Sequence, residues 1–397
     1  MSLAKNIFIV GAKRTAFGSY GGSFKSKSPT DLAVHAAKAA MNHANVDPST
    51  VDTVVVGNVQ QTGEDTIYLS RHVGLQAGVP IETPCLTINR LCGSGFESVS
   101  CVAREMLCGD AEIGIAAGAE CMSQAPFVAR QMRWGVKLGQ SEPLVDSLWE
   151  GLTDKGCGLP MALTAENLAE QYGITREDCD HFGARSQRLW KEALDAGRFA
   201  AEIAPFDIKT RKGVQSVEVD EHARPDANFE AMSKLPSIFK KDGTVTAGNA
   251  SGISDGAGAL ILATEDAVNK HGLTPMARLV AFEASGVDPK IMGIGPVPAI
   301  RGVLSKAGLT LADIDRIEIN EAFAAQFLAC EKELGLNRDI CNVNGGAIAI
   351  GHPTGASGAR ITGHLCHEMV ANPDLKYTIG SACIGGGQGI ALLLERC

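Results

Sequence analysis

Four short stretches hold side chains able to do chemistry among glycines too small to shield them. They are "NRLCGSG" (Asn89 to Gly95), "NEAF" (Asn320 to Phe323), "GGAIAIGHPTGASGAR" (Gly345 to Arg360) and "SACIGGGQG" (Ser381 to Gly389). Cys92 stands where a strand-like run gives way to a helix-like one. A thiol at a helix N-terminus feels the positive end of the peptide dipoles, which favours the thiolate and makes a nucleophile at neutral pH. The glycines after it let a carbonyl approach the backbone, and its own N–H can donate to an oxyanion. Most cysteines in such places are merely packed small residues, so the reading needs a base. His352, in "IGHPTGASG", supplies one: Pro353 suits the first turn of a helix, which puts the imidazole at the mouth of a second helix start. Cys383 is a second thiol on a turn too rich in glycine for regular structure, where Gly385 and its neighbours can offer a backbone N–H to developing negative charge. The competing reading of Cys383 is a strand-end cysteine beside a hairpin.

The elements that must position these groups alternate between short apolar runs and amphipathic stretches. "NIFIV" precedes "SPTDLAVHAAKAAMNHA", "VDTVVVGNV" precedes "DTIYLSRHVGLQAG", and "AEIGIAAGAE" follows "GFESVSCVAREMLCGD". This is the pattern of an α/β architecture. Ser28 or Thr30 is available to cap the helix that Pro29 begins. The same grammar returns after residue 272, with "MARLVAFEASG", "PVPAIRGVLSKAGLTLADI", "IDRIEINEAFAAQFLACEKELG" and "KYTIGSACIGGGQGIALLLE". "VDTVVVGNV" parallels "IDRIEINEA", and "CGSGFESV" parallels "TGASGARI", so the sequence predicts an internal duplication. The halves are 1–121 with 249–271, and 272–397. Residues 122–248 form an inserted loop domain, the kind of segment that covers a site or binds a substrate tail. Lys209, Arg211, Lys212, Arg224, Lys240 and Lys241 gather there, read equally as a phosphate-binding patch or a solvated surface.

With 397 residues, 45% apolar and 20% charged, the chain has ample material for large cores. A net charge of −9 argues against a nucleic-acid partner. The twelve cysteines are scattered without a C-x-x-C pair, which favours a reduced compartment over a disulfide scaffold. His364, Cys366 and His367 lack zinc-ligand spacing, so no metal is expected. No apolar run reaches the ~18 residues of a membrane span. The start, "MSLAKNIFIVGAKRTAFGSYGG", reads both as an uncleaved mitochondrial address and as the first buried strand.

In order and spacing, "NRLCGSGF", "GTVTAGNASGISDGAGA", "NEAFAAQF", "NVNGGAIAIGHPTGASGARI" and "CIGGGQG" closely resemble the thiolases over essentially the whole chain. Condensing enzymes of fatty-acid synthesis resemble a Cys-His-His pattern instead, whereas here the third position is Cys383. The resemblance implies a five-layered αβαβα fold of two duplicated halves with an inserted loop domain. It implies Cys92 as the acylated nucleophile, His352 as its activator and Cys383 as the acid/base at the substrate carbon. Asn320, holding a water, would form one oxyanion hole with His352; the N–H groups of Cys92 and Gly385 would form the other. Coenzyme A and acyl-CoA are the implied partners, with no permanently bound cofactor. Arg224 would sit near the adenosine or phosphate end, Ser251 and Ala247 along the pantetheine, and Leu152, Met161, Phe239, Met292 and Phe323 along the thioester channel. Pro160-Met161 replaces the "His-Met" pair of short-chain biosynthetic members. With "DEHARP" and "SLWEGLTD", this most resembles the mitochondrial-type branch that cleaves 3-ketoacyl-CoA in β-oxidation. The implied assembly is a homodimer or homotetramer, in the mitochondrial matrix if the source is eukaryotic and otherwise in the cytoplasm. Two readings compete: an acetoacetyl-CoA thiolase working in the synthetic direction, and a non-catalytic CoA-binding scaffold with a Cys92–Cys383 redox switch.

Overall fold

The computed structural model describes residues 3–211 and 213–397, so Lys212 of the basic group lies outside the described residues. In the N-terminal half, strand β1 (Ile7–Arg14) leads to helix α1 (Pro29–Ala44), β2 (Thr53–Gly57), α2 (Leu69–Ala77), β3 (Cys85–Ile88), α3 (Ser94–Cys108) and β4 (Ile113–Cys121). Helices α4 (Met161–Tyr172) and α5 (Arg176–Asp195) belong to the long segment between β4 and β5 (Ser254–Thr264). The C-terminal half runs β6 (Ala277–Gly286), α6 (Pro296–Ala307), β7 (Arg316–Ile319), α7 (Ala324–Leu334), α8 (Ser357–Ala371), β8 (Tyr377–Ile384) and β9 (Gln388–Glu395). Of the two candidate caps for α1, Ser28 takes the role, its hydroxyl accepting from Asp31 N–H while the Asp31 carboxylate accepts from Ser28 N–H.

Side-chain alternation along the strands builds the layers. Val54 and Val56 of β2 pack outward with Leu32 and Ala36 of α1, while Val55 points inward. The inward faces of both halves share one core with Phe96 and Val99 of α3 and Ile361 and Leu365 of α8. On the far side, Ile379 and Leu393 pack outward against Ile300 and Val303 of α6. Outer helices, a sheet, the α3–α8 pair, a second sheet and a second set of outer helices therefore stack in five layers, as expected. Gly95 and Gly358 allow the central crossing: a Cβ on Gly95 would come within 2.5 Å of Ala359 N, and one on Gly358 within 2.2 Å of Phe96 N.

Strand order repeats between halves. The first sheet runs β1-β5-β4-β2-β3, and the second runs β6-β9-β8-β7, with a parallel bridge from Ile317 to Cys341 where a fifth strand would lie. The two sheets are joined edge to edge by a short antiparallel pairing of Phe8 with Arg278 and Ile9 with Ala277. Register repeats as well. Asp52 caps the N–H groups of Glu112 and Ile113; Asp315 does the same for Lys376 and Tyr377. Both first strands carry an irregularity at the matching valine, Val10 and Val280. These ladders make Gly57 the counterpart of Asn320, and Ala119 the counterpart of Cys383. Where β8 turns into β9 over Gly385–Gly387, the first half instead carries the long segment between β4 and β5.

That segment is tied back by buried charge. Arg14 of β1 donates to Glu202 (2.7 Å) and to both oxygens of Asp220 (2.6 and 3.0 Å), and His364 of α8 bonds Glu202 at 2.6 Å. His364 also meets Asn344, and His367 bonds the Ala12 carbonyl. The twelve cysteines are all free thiols.

Candidate active site

Cys92 is held out by a locked corner. Leu91, directly before it, has φ +46°, a left-handed backbone that costs a branched residue of order 1–3 kcal/mol. Three bonds enforce it: Asn89 Oδ1 accepts from Leu91 N–H (2.8 Å), and Ser94 Oγ accepts from Arg90 N–H (2.9 Å) while donating to the Leu91 carbonyl (2.7 Å). Helix α3 begins at Ser94, so the sulfur does lie at a helix start. The expectation of a resting thiolate fails, however. Burial pushes the Cys92 thiol up to about 11, outweighing the Gly385 N–H and its own N–H directed at the sulfur. The site holds a thiol that requires a base.

His352 meets that requirement, though not from a helix's first turn. α8 begins at Ser357, and Pro353 lies in the preceding turn, its carbonyl accepting from Ala356 and Ser357 N–H. The His352 backbone N–H donates to Gly252 O (2.9 Å) and Ser254 Oγ (3.1 Å), seating the residue on the long segment. Its Nδ1 lies 2.6 Å from Ser357 Oγ, whose own hydrogen goes to the Pro353 carbonyl (3.2 Å). The hydroxyl then accepts from Nδ1–H, which leaves Nε2 as the ring's acceptor. Nε2 faces Asn320 Nδ2 at 3.3 Å. Burial, helped by the Arg360 charge, holds this imidazole down to about 3. A neutral base thus stands on the same cavity as a neutral thiol.

Asn320 follows β7 directly, and its N–H donates to the Ser381 carbonyl, aligning it with β8. Its buried Oδ1 has no partner among the described residues. Cys383 is fully buried behind Met292 and Ala322, with Met161 and Phe323 packed against the same cluster. Burial, with the neighbouring Cys92 and Cys330 thiols, raises its thiol well above the ordinary range. The turn that follows uses Gly386 (φ +77°) and Gly387 (φ +83°), and a Cβ on Gly387 would meet the Val287 carbonyl at 2.4 Å.

Cys92 and His352 open onto a largely apolar cavity of about 510 Å³, lined also by Leu152, Met161, Phe239, Met292, Phe323, Ala247 and Ser251. Asn320, Cys383 and Gly385 abut it from behind through the contacts above. Arg224 does not reach the wall: it is exposed, and its guanidinium folds over the carbonyls of Glu221, His222 and Ala223. Nor do Lys209, Arg211, Lys240 and Lys241 line the cavity, and Lys240 is paired with Glu170.

Sequence reasoning missed several contributors. Trp149 stacks on Phe239 (6.2 Å, 3° between planes), and His222 lies against Gly252. Glu120, fully buried, accepts from Asn58 Nδ2, the N–H groups of Val59, Gln60 and Gly355, and Thr354 Oγ1. Burial still pushes its carboxyl up to about 7. It clamps the loop after His352 to the first half. Only the buried charge in "AGAECMS" hinted at it, since its donors are distant in sequence.

Comparison with known proteins gives the same outline. The family description "Thiolase, N-terminal domain" matches residues 7–266, and "Thiolase, C-terminal domain" matches residues 273–396. The mitochondrial 3-ketoacyl-CoA thiolase of Bos taurus is 58% identical over 396 residues, covering 100% of both chains. The crystal structure of human mitochondrial 3-ketoacyl-CoA thiolase superposes with a TM-score of 0.98 at 57% identity, covering 100% of both chains. Its complex with CoA gives 0.97 at 56% identity, covering 100% of this chain and 99% of that one.

Proposed function

The chain belongs to the thiolase family, and on that premise we propose how its residues divide the work of cleaving a 3-ketoacyl-CoA with coenzyme A. The protein is an acyltransferase of the 3-ketoacyl-CoA thiolase type, releasing acetyl-CoA and a shortened acyl-CoA, with CoA as substrate and no permanent cofactor. The observation that carries the reading is a half-buried thiol and a neutral imidazole on one apolar cavity, with the Gly385 N–H aimed at the sulfur.

His352 Nε2 takes the Cys92 proton, and the thiolate attacks the 3-keto carbon. The N–H groups of Cys92 and Gly385 donate to the oxygen that becomes negative. When the C2–C3 bond breaks, the electron pair passes to the enolate of acetyl-CoA, whose thioester oxygen is met by His352 and a water oriented by Asn320. Cys383 protonates that carbon and becomes a thiolate. It then takes the proton of the incoming CoA thiol, which attacks the acyl group on Cys92, and His352 returns its proton to the departing sulfur. Each residue ends as it began, and the kinetics are ping-pong.

The 122–248 segment serves as the CoA-binding loop domain. Ser251 and Ala247 follow the pantetheine, and the apolar lining takes the acyl chain. Arg224 meets the adenosine phosphates by unfolding from the carbonyls it now caps. The protein works as a homodimer or homotetramer, in the mitochondrial matrix if eukaryotic; subcellular fractionation and sedimentation check these two statements. Mass spectrometry after exposure to acyl-CoA should find the acyl group on Cys92, and its absence would refute the reading. A chain-length series should retain activity beyond four carbons; activity confined to four would favour the acetoacetyl-CoA reaction.

A further inference from the structure

Glu120, near the end of β4, is fully buried, and its two oxygens divide their partners. Oε1 accepts from Asn58 Nδ2 (3.2 Å) and Gln60 N–H (3.0 Å), and Oε2 accepts from Val59 N–H (3.1 Å), Thr354 Oγ1 (2.8 Å) and Gly355 N–H (2.9 Å). The nitrogens in that set can only donate, so the enclosure is built for a carboxylate. Thr354 and Gly355 belong to the loop that carries His352. The other partners lead to Cys92. The Val59 carbonyl accepts from Asn89 Nδ2 (3.0 Å), and Asn89 Oδ1 accepts from Leu91 N–H (2.8 Å), one of the bonds that lock the left-handed corner before the thiol. Asn58 N–H donates to the Ile88 carbonyl (3.0 Å), directly before Asn89. One buried carboxylate therefore reaches the base through Thr354 and Gly355, and the nucleophile through Val59 and Asn89.

Stability alone is a poor reason for so enclosed a carboxylate, because taking a charge out of water is costly. Its place gives it another use. The nucleophile sits on a corner ahead of α3 and the base on a loop ahead of α8, so no single element fixes their separation. A proton passes between two groups only within about 3.2 Å or through one water, and a displacement of about 1 Å costs up to roughly a hundredfold in rate. We propose that Glu120 is a positioning residue that sets the spacing of Cys92 and His352, with Asn89 carrying its hold to the corner of the thiol and Thr354 carrying it to the loop of the base.

This rests on Cys92 and His352 being the reacting pair. In the full-length protein, kcat is measured per active site, counted as the acyl adduct on Cys92, at pH 8, above the value of about 7 to which burial lifts the Glu120 carboxyl. Glu120→Gln should lower kcat by about ten- to a hundredfold while KM for 3-ketoacyl-CoA and for CoA stays within about twofold. Asn89 is exposed, and Asn89→Asp keeps the acceptor for Leu91 N–H while losing the donor to Val59. It should lower kcat about threefold or more, and the double variant should lie within about twofold of Glu120→Gln alone, because both changes cut one link. A carboxylate that served stability alone would lower the yield of folded protein and leave kcat per site unchanged. That result, losses that multiply, or a rise in KM that accounts for the loss overturns the proposal. If Glu120→Gln does not fold, Thr354→Val is paired with Asn89→Asp, cutting the link at its two ends, and losses that multiply again overturn it. Each of these failures leaves the thiolytic reading standing, since that reading falls only if no acyl adduct forms on Cys92 of the unaltered protein.

Discussion

The two halves of this chain end their equivalent strands differently. In the C-terminal half the ends of β7 and β8 carry Asn320 and Cys383; in the N-terminal half the same positions are Gly57 and Ala119. The first pair meets His352 and Cys92. The second pair is packed solid: a Cβ on Gly57 would come within 2.6 Å of the Ser94 backbone, and one on neighbouring Gly118 within 2.0 Å of the Gly355 carbonyl. Next to Ala119, Glu120 fills the remaining space and fastens the His352 loop. The connection after the strand differs too, a three-glycine turn supplying an N–H in one half and a long segment supplying cavity wall in the other. Duplication therefore gave two similar scaffolds whose matching strand ends diverged: one carries Asn320 and Cys383 beside the cavity, and the other is packed solid and fastens the His352 loop.

The largest test makes the C-terminal end resemble its counterpart. Cys383→Ala should lower C–C cleavage and condensation by about a thousandfold or more, and acyl exchange between Cys92 and CoA much less, because the CoA thiol, unlike the substrate carbon, can also lose its proton to water. Equal loss of both activities would remove the distinction between the thiols. Asn320→Ala should cost about a hundredfold in kcat, the scale of one oxyanion donor, with KM for the 3-ketoacyl-CoA little changed. The reverse substitution, Gly57→Ala, should leave the chemistry possible but destabilise the fold by about 1–3 kcal/mol, read by urea denaturation. A neutral outcome would mean that the N-terminal end is less tightly filled than its distances indicate.

The smallest effect concerns the charge that ties the halves. Glu202 raises the folded-state value of His364 from 6.5 to about 9 against the opposing effect of burial. Its contribution to stability is complete below pH 6.5 and is lost as pH rises through 9. Unfolding free energy should fall over that window by about 1 kcal/mol per pH unit, and His364→Gln should flatten the slope. An equal slope in the variant would assign it to another group.

Much of this was readable in the residues. Strand and helix order, the duplication, a cap at Ser28 or Thr30 and most of the cavity lining followed from periodicity, glycine placement and family resemblance. What escaped depends on burial and on partners distant in sequence. Cys92 at a helix start suggested a thiolate, but desolvation by the packed fold outweighs the helix end. Pro353 suggested a helix start four residues too early, because a turn ahead of α8 uses the same φ. The basic residues of the long segment left a phosphate-binding patch and a solvated surface equally open, because partners such as Glu170, which pairs with Lys240 from a helix 70 residues away, are invisible in the local sequence. Glu120 was invisible for the same reason.

Strand β1 completes its ladder only with residues 258–264 of β5 and 277–278 of β6. During synthesis at about 5–20 residues per second, the first strand therefore waits roughly ten seconds or more for its neighbours. Helix α3 waits about as long, since its partner α8 begins only at Ser357. Until then the apolar faces that later become the shared core stand open on the nascent chain. A ribosome pause after residue 260 should leave a species that binds hydrophobic dyes and chaperones, and the chain should become protease-resistant only once its last strands have emerged.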